Sequence, residues 1–167
     1  MKTVTKEEIE AARNRILEAS PREVRKWMKE MGDEQPYLQV YMAGLLEQAF
    51  ERTRDADALA NLCMIVWMSM RRARNEPFPQ VDGATIERIE SRMMELLKYA
   101  EGEAEGNLSR LVQLWMQDYG QRPLLEFCVN AVMSPESSYG ISSQASGLVF
   151  LYLKVLIDCL DQSAPAA

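Results

Sequence analysis

The 167-residue chain contains no histidine. Imidazole is the most common general base in enzymes and a frequent ligand of zinc, haem iron and di-iron centres. Its absence excludes Ser–His and Cys–His nucleophile pairs and every metal site that needs an imidazole ligand. Acid–base chemistry would have to be carried out by carboxylates, lysines, tyrosines or thiols. No recognisable arrangement of these groups is present, so we expect no catalytic residues and no cofactor.

Two groups of carboxylates have a spacing that is compatible with binding of a metal ion. Glu47 and Glu51 lie four residues apart, and therefore on one face of a helix, where they could share a proton or a metal ion. Residues 101–107 (EGEAEGN) place three glutamates at alternate positions, but they lack the Asp/Asn pattern and the distal glutamate of an EF-hand. We interpret the pair as part of a solvated helix face and the second group as an acidic connection between helices.

Sulfur-containing side chains are a third candidate, since the chain has eleven methionines. Cys63, Met64, Met68 and Met70 would offer the thiol and thioether ligands that copper(I) prefers. Their spacing is also that of a buried helix, in which methionine fills irregular gaps, and this packing role is the one we expect. Methionine-rich surfaces, where they are exposed, can adapt to different protein partners.

Residues 134–146 (SPESSYGISSQAS) form the segment with the best claim to a binding site. Serine and glycine are concentrated there, between the end of one apolar helix and the start of another. Amides at a helix N-terminus, with serine hydroxyls nearby, can bind an anion or a peptide carboxylate. The same composition is typical of a capped loop without a ligand. The candidate residues for a ligand or a partner are Tyr139, Ser142, Ser143 and Gln144.

Helical periodicity runs through almost the whole chain, and no segment alternates as a strand would. Thr5 with Glu8, and Ser20 with Glu23, have the spacing of capping boxes at the start of the first two helices. The apolar face of the first helix is predicted to include Leu17, and that of the second to include Met28. The pattern as a whole predicts an all-α protein of about eight helices, the sixth of them beginning at residue 107.

The sequence also repeats itself. Residues 27–32 (WMKEMG) align with residues 115–120 (WMQDYG), and a proline follows each of them within four residues. Four successive helices align at offsets of 77, 88, 87 and 85 residues, so every insertion falls between helices, where insertions are tolerated.

This repeat predicts a single domain made of two diverged four-helix copies. The copies span about 5–74 and about 83–161, with a linker at about 75–82 and a disordered tail at about 162–167. The last helix of each copy is apolar on nearly all sides, so we expect the copies to pack through these helices about a pseudo-two-fold axis.

Charge and composition narrow the range of partners. The net charge of −6 and the pI near 4.9 argue against nucleic acid and against an anionic membrane. Arg71, Arg72 and Arg74 are the main basic cluster, and we interpret them as complements to a helix C-terminus rather than as a phosphate site. The most apolar run, residues 147–160, is shorter than the roughly 20 residues of a membrane span.

The N-terminus lacks the pattern of a signal peptide. The three cysteines, Cys63, Cys128 and Cys159, have no CxxC spacing and each lies in an apolar segment. Both features predict reduced thiols and a cytoplasmic location.

No motif in the chain is specific enough to determine a function. The expectation that the composition favours is a non-catalytic interaction module that binds a protein partner, or a second copy of itself, through an apolar helix face. It predicts a contiguous exposed apolar surface. The alternative is binding of a small molecule or an anion in a cavity between the two copies, near residues 134–146, which requires a pocket with convergent polar groups.

Overall fold

The computed structural model describes residues 1–48, 53–101, 116, 119–134 and 137–163, with the side chains of all of these except 45–48 and 96–101. This part of the chain contains seven α-helices and no strand, which confirms the all-α prediction. The helices are α1 (Lys6–Leu17), α2 (Pro21–Glu34), α3 (Pro36–Gln48), α4 (Thr53–Arg74), α5 (Gly83–Glu101), α6 (Arg122–Met133) and α7 (Ser143–Ser163).

Several predicted features lie outside the described residues. The helix expected from residue 107 is among them, apart from Met116 and Tyr119, and so is Trp115, the counterpart of Trp27 in the repeat. Of the predicted tail, residues 162 and 163 form the end of α7, and residues 164–167 are not described.

The first two helices begin at the predicted capping boxes. In α1 the Glu8 amide donates to Thr5 Oγ1 at 3.3 Å, and the Thr5 amide donates to Glu8 Oε2 at 2.8 Å. In α2 Ser20 and Glu23 make the same reciprocal pair, and a proline follows in the first turn. Each box satisfies two amides that a helix end would otherwise leave unpaired, which contributes about 1 kcal/mol per cap.

Two helices form the centre of the molecule. α4 packs against α1, α2, α3 and α7, and α7 packs against α4, α5 and α6. Because both helices have neighbours on several sides, their apolar residues are buried almost all round, as for Trp67, Met70, Phe150 and Leu153. Each fully buried side chain of this size contributes roughly 1.5–3 kcal/mol through removal of apolar surface from water.

Helix α7 is also long and apolar enough to cross a membrane. However, 61% of its most apolar stretch is buried inside the fold. A core helix of a globular protein has the same length and composition, so the helix is weak evidence for a membrane span.

The predictions for Leu17 and Met28 are wrong, because both side chains are exposed, to 60% and 42%. Leu17 is the last residue of α1, whereas the preceding Ile16 is buried. Met28 follows the buried Trp27 by one position, which turns its side chain by about 100° around α2. Periodicity locates the centre of an apolar face, but the neighbouring helices determine how wide a stripe they cover.

Two fully buried glutamines connect distant parts of the chain. Gln35, just before α3, accepts from the Val81 amide at 2.9 Å and donates to the Pro79 carbonyl at 2.9 Å. Gln121, just before α6, accepts from the Val4 amide at 3.0 Å and donates to the Lys2 carbonyl at 3.2 Å. The two side chains thereby hold the backbone segments that lead into α5 and α1.

We expect Gln35→Met to lower the free energy of unfolding by about 2–4 kcal/mol, because it leaves the buried Val81 amide without an acceptor and the partly buried Pro79 carbonyl without a donor. Gln80→Met is the matched control, since Gln80 lies in the same segment and is exposed, and it should change stability by less than about 0.5 kcal/mol. Urea unfolding monitored by circular dichroism measures both. Equal stabilities of the two variants would contradict the role assigned to Gln35.

The three free cysteines are buried. Burial raises the pKa of Cys128 to about 12, and burial is also the main cause that raises the pKa of Cys159 to about 12. The pKa of Cys63 is well above its ordinary value for the same reason. We therefore expect a maleimide to label native thiols more than about 100-fold more slowly than thiols of the unfolded chain.

A pH dependence of stability follows from the same shifts. The folded state keeps its thiol protons to a higher pH than the unfolded state, so this stabilisation is complete below about pH 9 and is lost as the pH rises toward 12. The Cys128→Ala variant should lose stability less steeply over this range. Rapid labelling of the native protein, or an unchanged slope in the variant, would contradict the burial of these thiols.

Candidate functional site

The loop between α6 and α7 carries the four residues predicted for a binding site. The amide and the hydroxyl of Ser142 both donate to the carboxylate of Asp55, at 2.9 Å and 2.8 Å. Asp55 is buried in the first turn of α4. Ser142 also accepts from the Ala145 amide and so caps α7. A carboxylate of the chain itself is therefore bound at Ser142, where the sequence predicts binding of an anion.

The other three predicted residues have different surroundings. Ser143 and Gln144 are exposed in the first turn of α7. Tyr139 is half-buried and lines a cavity of about 400 Å³ together with polar residues of α4, namely Arg54, Asp57 and Asn61. The structure thus brings Tyr139 to a pocket that Ser142, Ser143 and Gln144 do not line.

The Tyr139 hydroxyl is buried and lies near the Arg13 side chain. Burial raises the pKa of Tyr139, and the nearby Arg13 guanidinium opposes that shift. Gly140, the next residue, has a φ of 60°, which an L side chain rarely adopts. A Cβ at this position would lie 1.9 Å from Arg54 Nη2, so the loop packs closely on the start of α4.

Helix α3 presents an uncovered apolar face. No charged residue occurs between Pro36 and Leu46. Leu38 and Met42 are buried, but Tyr37 is 53% exposed and Val40 is 73% exposed. Tyr37, Val40 and the exposed Ala43 follow one another at intervals of three residues along the outer side of the helix. We call these three side chains the α3 surface.

A methionine-rich groove lies on one side of the α3 surface. It is a cavity of about 110 Å³ between α2, α3 and α4, and its wall contains Met28, Met31, Met42, Met64 and Cys63. Met28 lies at its exposed rim. Thioether side chains rotate easily and are polarisable, so such a wall can adapt its shape to an inserted side chain.

A second apolar groove lies on the other side of the α3 surface. This cavity of about 130 Å³ is formed by α3, α5 and α7 and is lined by Tyr41, Met93, Met94 and Tyr152, among others. Tyr41 donates to Glu90 Oε1 at 2.9 Å, and its ring meets that of Tyr152 edge to face at 6.2 Å. Met94 is 46% exposed at this groove, and the exposed Gln39 is the polar residue on the wall of the methionine-rich groove.

The remaining chemical candidates do not form a site in the described part of the chain. No group of three Cys, Asp or Glu side chains that could hold a metal ion occurs there. Of the sulfur cluster on α4, Cys63 and Met64 line the methionine-rich groove, Met68 lines a different cleft and Met70 is fully buried. Glu51, residues 102–107 and the side chains of Glu47 and Glu101 lie outside the described residues.

Comparison with protein-family models, with curated proteins and with solved structures finds no match for the chain. Inferences about its function therefore come from its own residues.

We expect Asp55→Ala to lower the free energy of unfolding by about 1–3 kcal/mol, because the half-buried Ser142 amide and hydroxyl lose their acceptor. The Ser142 amide should also exchange its hydrogen with solvent faster. Asp57→Ala is the control, since Asp57 is exposed one half-turn along α4. Hydrogen-exchange mass spectrometry of residues 137–146 distinguishes the two variants, and unchanged exchange in Asp55→Ala would contradict the anchoring role of Asp55.

Proposed function

We propose that the protein is a non-catalytic interaction module that self-associates through the α3 surface. The observation that carries this proposal is the exposure of Tyr37, Val40 and Ala43 on the uncharged part of α3, residues 36–46, between two apolar grooves. Covering them would remove apolar surface from water, which is the main driving force of protein association. Exposed Met28 and Met94 extend the same surface on its two sides.

A second copy of the chain is the partner that this surface fits best. Charges around an interface select a partner of opposite charge, and residues 36–46 of α3 have none to offer. A two-fold contact needs only a patch that is complementary to itself, such as an apolar crest beside apolar grooves. The net charge of −6 disfavours nucleic acid and anionic membranes as partners. The free thiols fit a cytoplasmic location.

We further propose that the chain consists of two diverged copies related by a pseudo-two-fold axis, with α1, α3 and α4 corresponding to α5, α6 and α7. When α1, α3 and α4 are exchanged with α5, α6 and α7, every packed pair among these six helices becomes a packed pair again. α1 packs on α4 as α5 packs on α7, α3 packs on α4 as α6 packs on α7, and α1 packs on α6 as α5 packs on α3. The central contact between α4 and α7 exchanges with itself.

The buried glutamines support the same arrangement. Gln35 and Gln121 each precede the third helix of one copy and bind the segment that leads into the first helix of the other copy. The amides that they bind belong to residues 4 and 81, and the carbonyls to residues 2 and 79. Both pairs are 77 residues apart, which is the offset at which α1 aligns with α5.

α6, the helix that corresponds to α3 in the second copy, provides a comparison for the apolar face of α3. α6 has a polar row on its outer side, in which Arg122, Glu126 and Asn130 follow at intervals of four residues, and Arg122 Nε lies 2.8 Å from Glu126 Oε1. At the offset of 87 residues, Tyr37 and Val40 correspond to Leu124, which is buried, and to Phe127, which is half-buried. Tyr37 and Val40 are thus exposed where their counterparts are covered, so we assign them to binding.

The alternative function is binding of a small molecule or an anion in the cavity at Tyr139. The buried Tyr139 hydroxyl favours it, together with Arg54, Asp57 and Asn61 on the cavity wall. A ligand that accepts a hydrogen bond from Tyr139 would fit this site. We favour self-association over this alternative because the other three residues predicted for a ligand site do not line the cavity. Ser142 is bound to Asp55, and Ser143 and Gln144 are exposed.

We expect wild-type protein at micromolar concentration to have twice the 19.1 kDa mass of one chain. Val40→Glu should weaken the dimer by at least about 100-fold, because dimerisation would bury an unpaired carboxylate. Light scattering coupled to size-exclusion chromatography measures both.

Leu17→Glu is the control, since Leu17 is an apolar residue on α1 that is 60% exposed, against 73% for Val40, and this variant should remain dimeric. A wild-type protein that is monomeric at all concentrations, or a Val40→Glu variant that dimerises normally, would contradict the proposal.

A further inference from the structure

A cleft on the other side of α2 combines aromatic and cationic side chains. It lies between α1, α2, α4 and the turn after α4 and has a volume of about 350 Å³, within the range of roughly 300–1,000 Å³ that small-molecule sites occupy. We call it the Trp–Arg cleft. It shares no lining residue with the methionine-rich groove. Its wall includes Arg15, Trp27, Trp67, Met68, Arg71 and Arg72.

The cleft has two guanidinium groups, those of Arg15 and Arg72, that form no salt bridge with the carboxylates whose positions are described. Glu23 is nevertheless near enough to Arg15 for its pKa, which hydrogen bonds from Ser20 lower, to be lowered further by that charge. Arg71 is paired with Glu34 at 2.6 Å. The two acidic residues on the wall are paired with cations outside it, Glu30 with Lys26 at 3.7 Å and Glu76 with Arg74 at 3.8 Å.

Arg15 and Arg72 have no carboxylate within 4.0 Å among the residues whose side chains are described. The C-termini of α1 and α4 account for cations at these positions. They do not account for the convergence of two unpaired guanidinium groups on one cleft of a protein with a net charge of −6.

The aromatic wall is arranged around these cations. The Arg15 guanidinium lies 4.6 Å from the centroid of the Trp27 ring, and that of Arg71 lies 5.3 Å from the Trp67 ring. Stacking on an aromatic face holds an arginine in place while its N–H groups stay free to donate.

Trp67 also has an unsatisfied donor. The residue is only 1% exposed, and its indole N–H is buried with no acceptor in the described part of the chain. This N–H group is closed off from solvent, and Trp67 meets the cleft through the ring on which Arg71 stacks.

We propose that the Trp–Arg cleft binds a small organic anion, a carboxylate or a phosphate ester with a planar apolar group. Arg15 and Arg72 bind the anionic group through charge-assisted hydrogen bonds, which are about twice as strong as neutral ones. The planar group packs against Met68 on the wall of the cleft. This binding is independent of self-association through the α3 surface.

Tryptophan fluorescence tests the proposal, since Trp27 and Trp67 are two of the three tryptophans. The probes are benzoate and phenyl phosphate, with benzyl alcohol as the neutral analogue. We expect a saturable change in emission with at least one of the anions and none with benzyl alcohol. A response to benzoate alone identifies a carboxylate ligand, and a response to phenyl phosphate alone identifies a phosphate ester.

Variants of the cleft arginines locate the binding. Arg72→Gln and Arg15→Gln should each weaken binding of the anion by at least about tenfold, the loss of one charge-assisted hydrogen bond. Arg22→Gln is the matched control, an exposed arginine of α2 that does not line the cleft, and it should bind as the wild type does.

Val40→Glu should also bind normally, which separates this proposal from the dimer. The proposal is overturned if neither anion gives a saturable change, or if Arg72→Gln and Arg15→Gln bind as tightly as the wild type.

Discussion

The contact between α4 and α7 is the constraint on which the rest of the structure depends. Both helices are apolar almost all round, so the fold is stable only when other helices cover each of them on several sides. α1 provides most of the cover of α4, with smaller contributions from α2 and α3, and α5 and α6 cover α7 to a similar extent. Covering a central helix requires an apolar inner side of α3, with Leu38 and Met42, but makes no demand on its outer side. The exposed Val40 is therefore free to serve binding.

Buried polar side chains determine how the helices connect. Gln35, Gln121 and Asp55 each bind backbone amides that lie more than forty residues away in sequence. Such bonds add little net stability, but a competing arrangement would leave the same groups buried and unpaired. They select one packing of the helices, and with it one geometry for the grooves beside α3 and for the Trp–Arg cleft.

Local interactions were the part of this fold that could be predicted from sequence. The capping boxes at Thr5 and Ser20 involve residues three apart, so their pattern is visible in the chain itself. The bond from Ser142 to Asp55 spans 87 residues, and a single buried glutamine in a polar connection looks like a surface residue. The exposure of Met28 and Val40 depends on which helices pack nearby. The periodicity of the sequence carries no information about these neighbours. The sequence therefore indicated an apolar interaction face without locating it on α3.

A cross-linking measurement on Ala43→Cys tests self-association through α3 most directly. The three native cysteines are buried, so the introduced thiol at the α3 surface should be the one that reacts first. In a two-fold dimer that buries this surface, the two introduced thiols lie close together. A short bis-maleimide should then convert the variant to a covalent dimer, as seen by denaturing mass spectrometry. Quantitative modification of the thiol without covalent dimer would contradict the account.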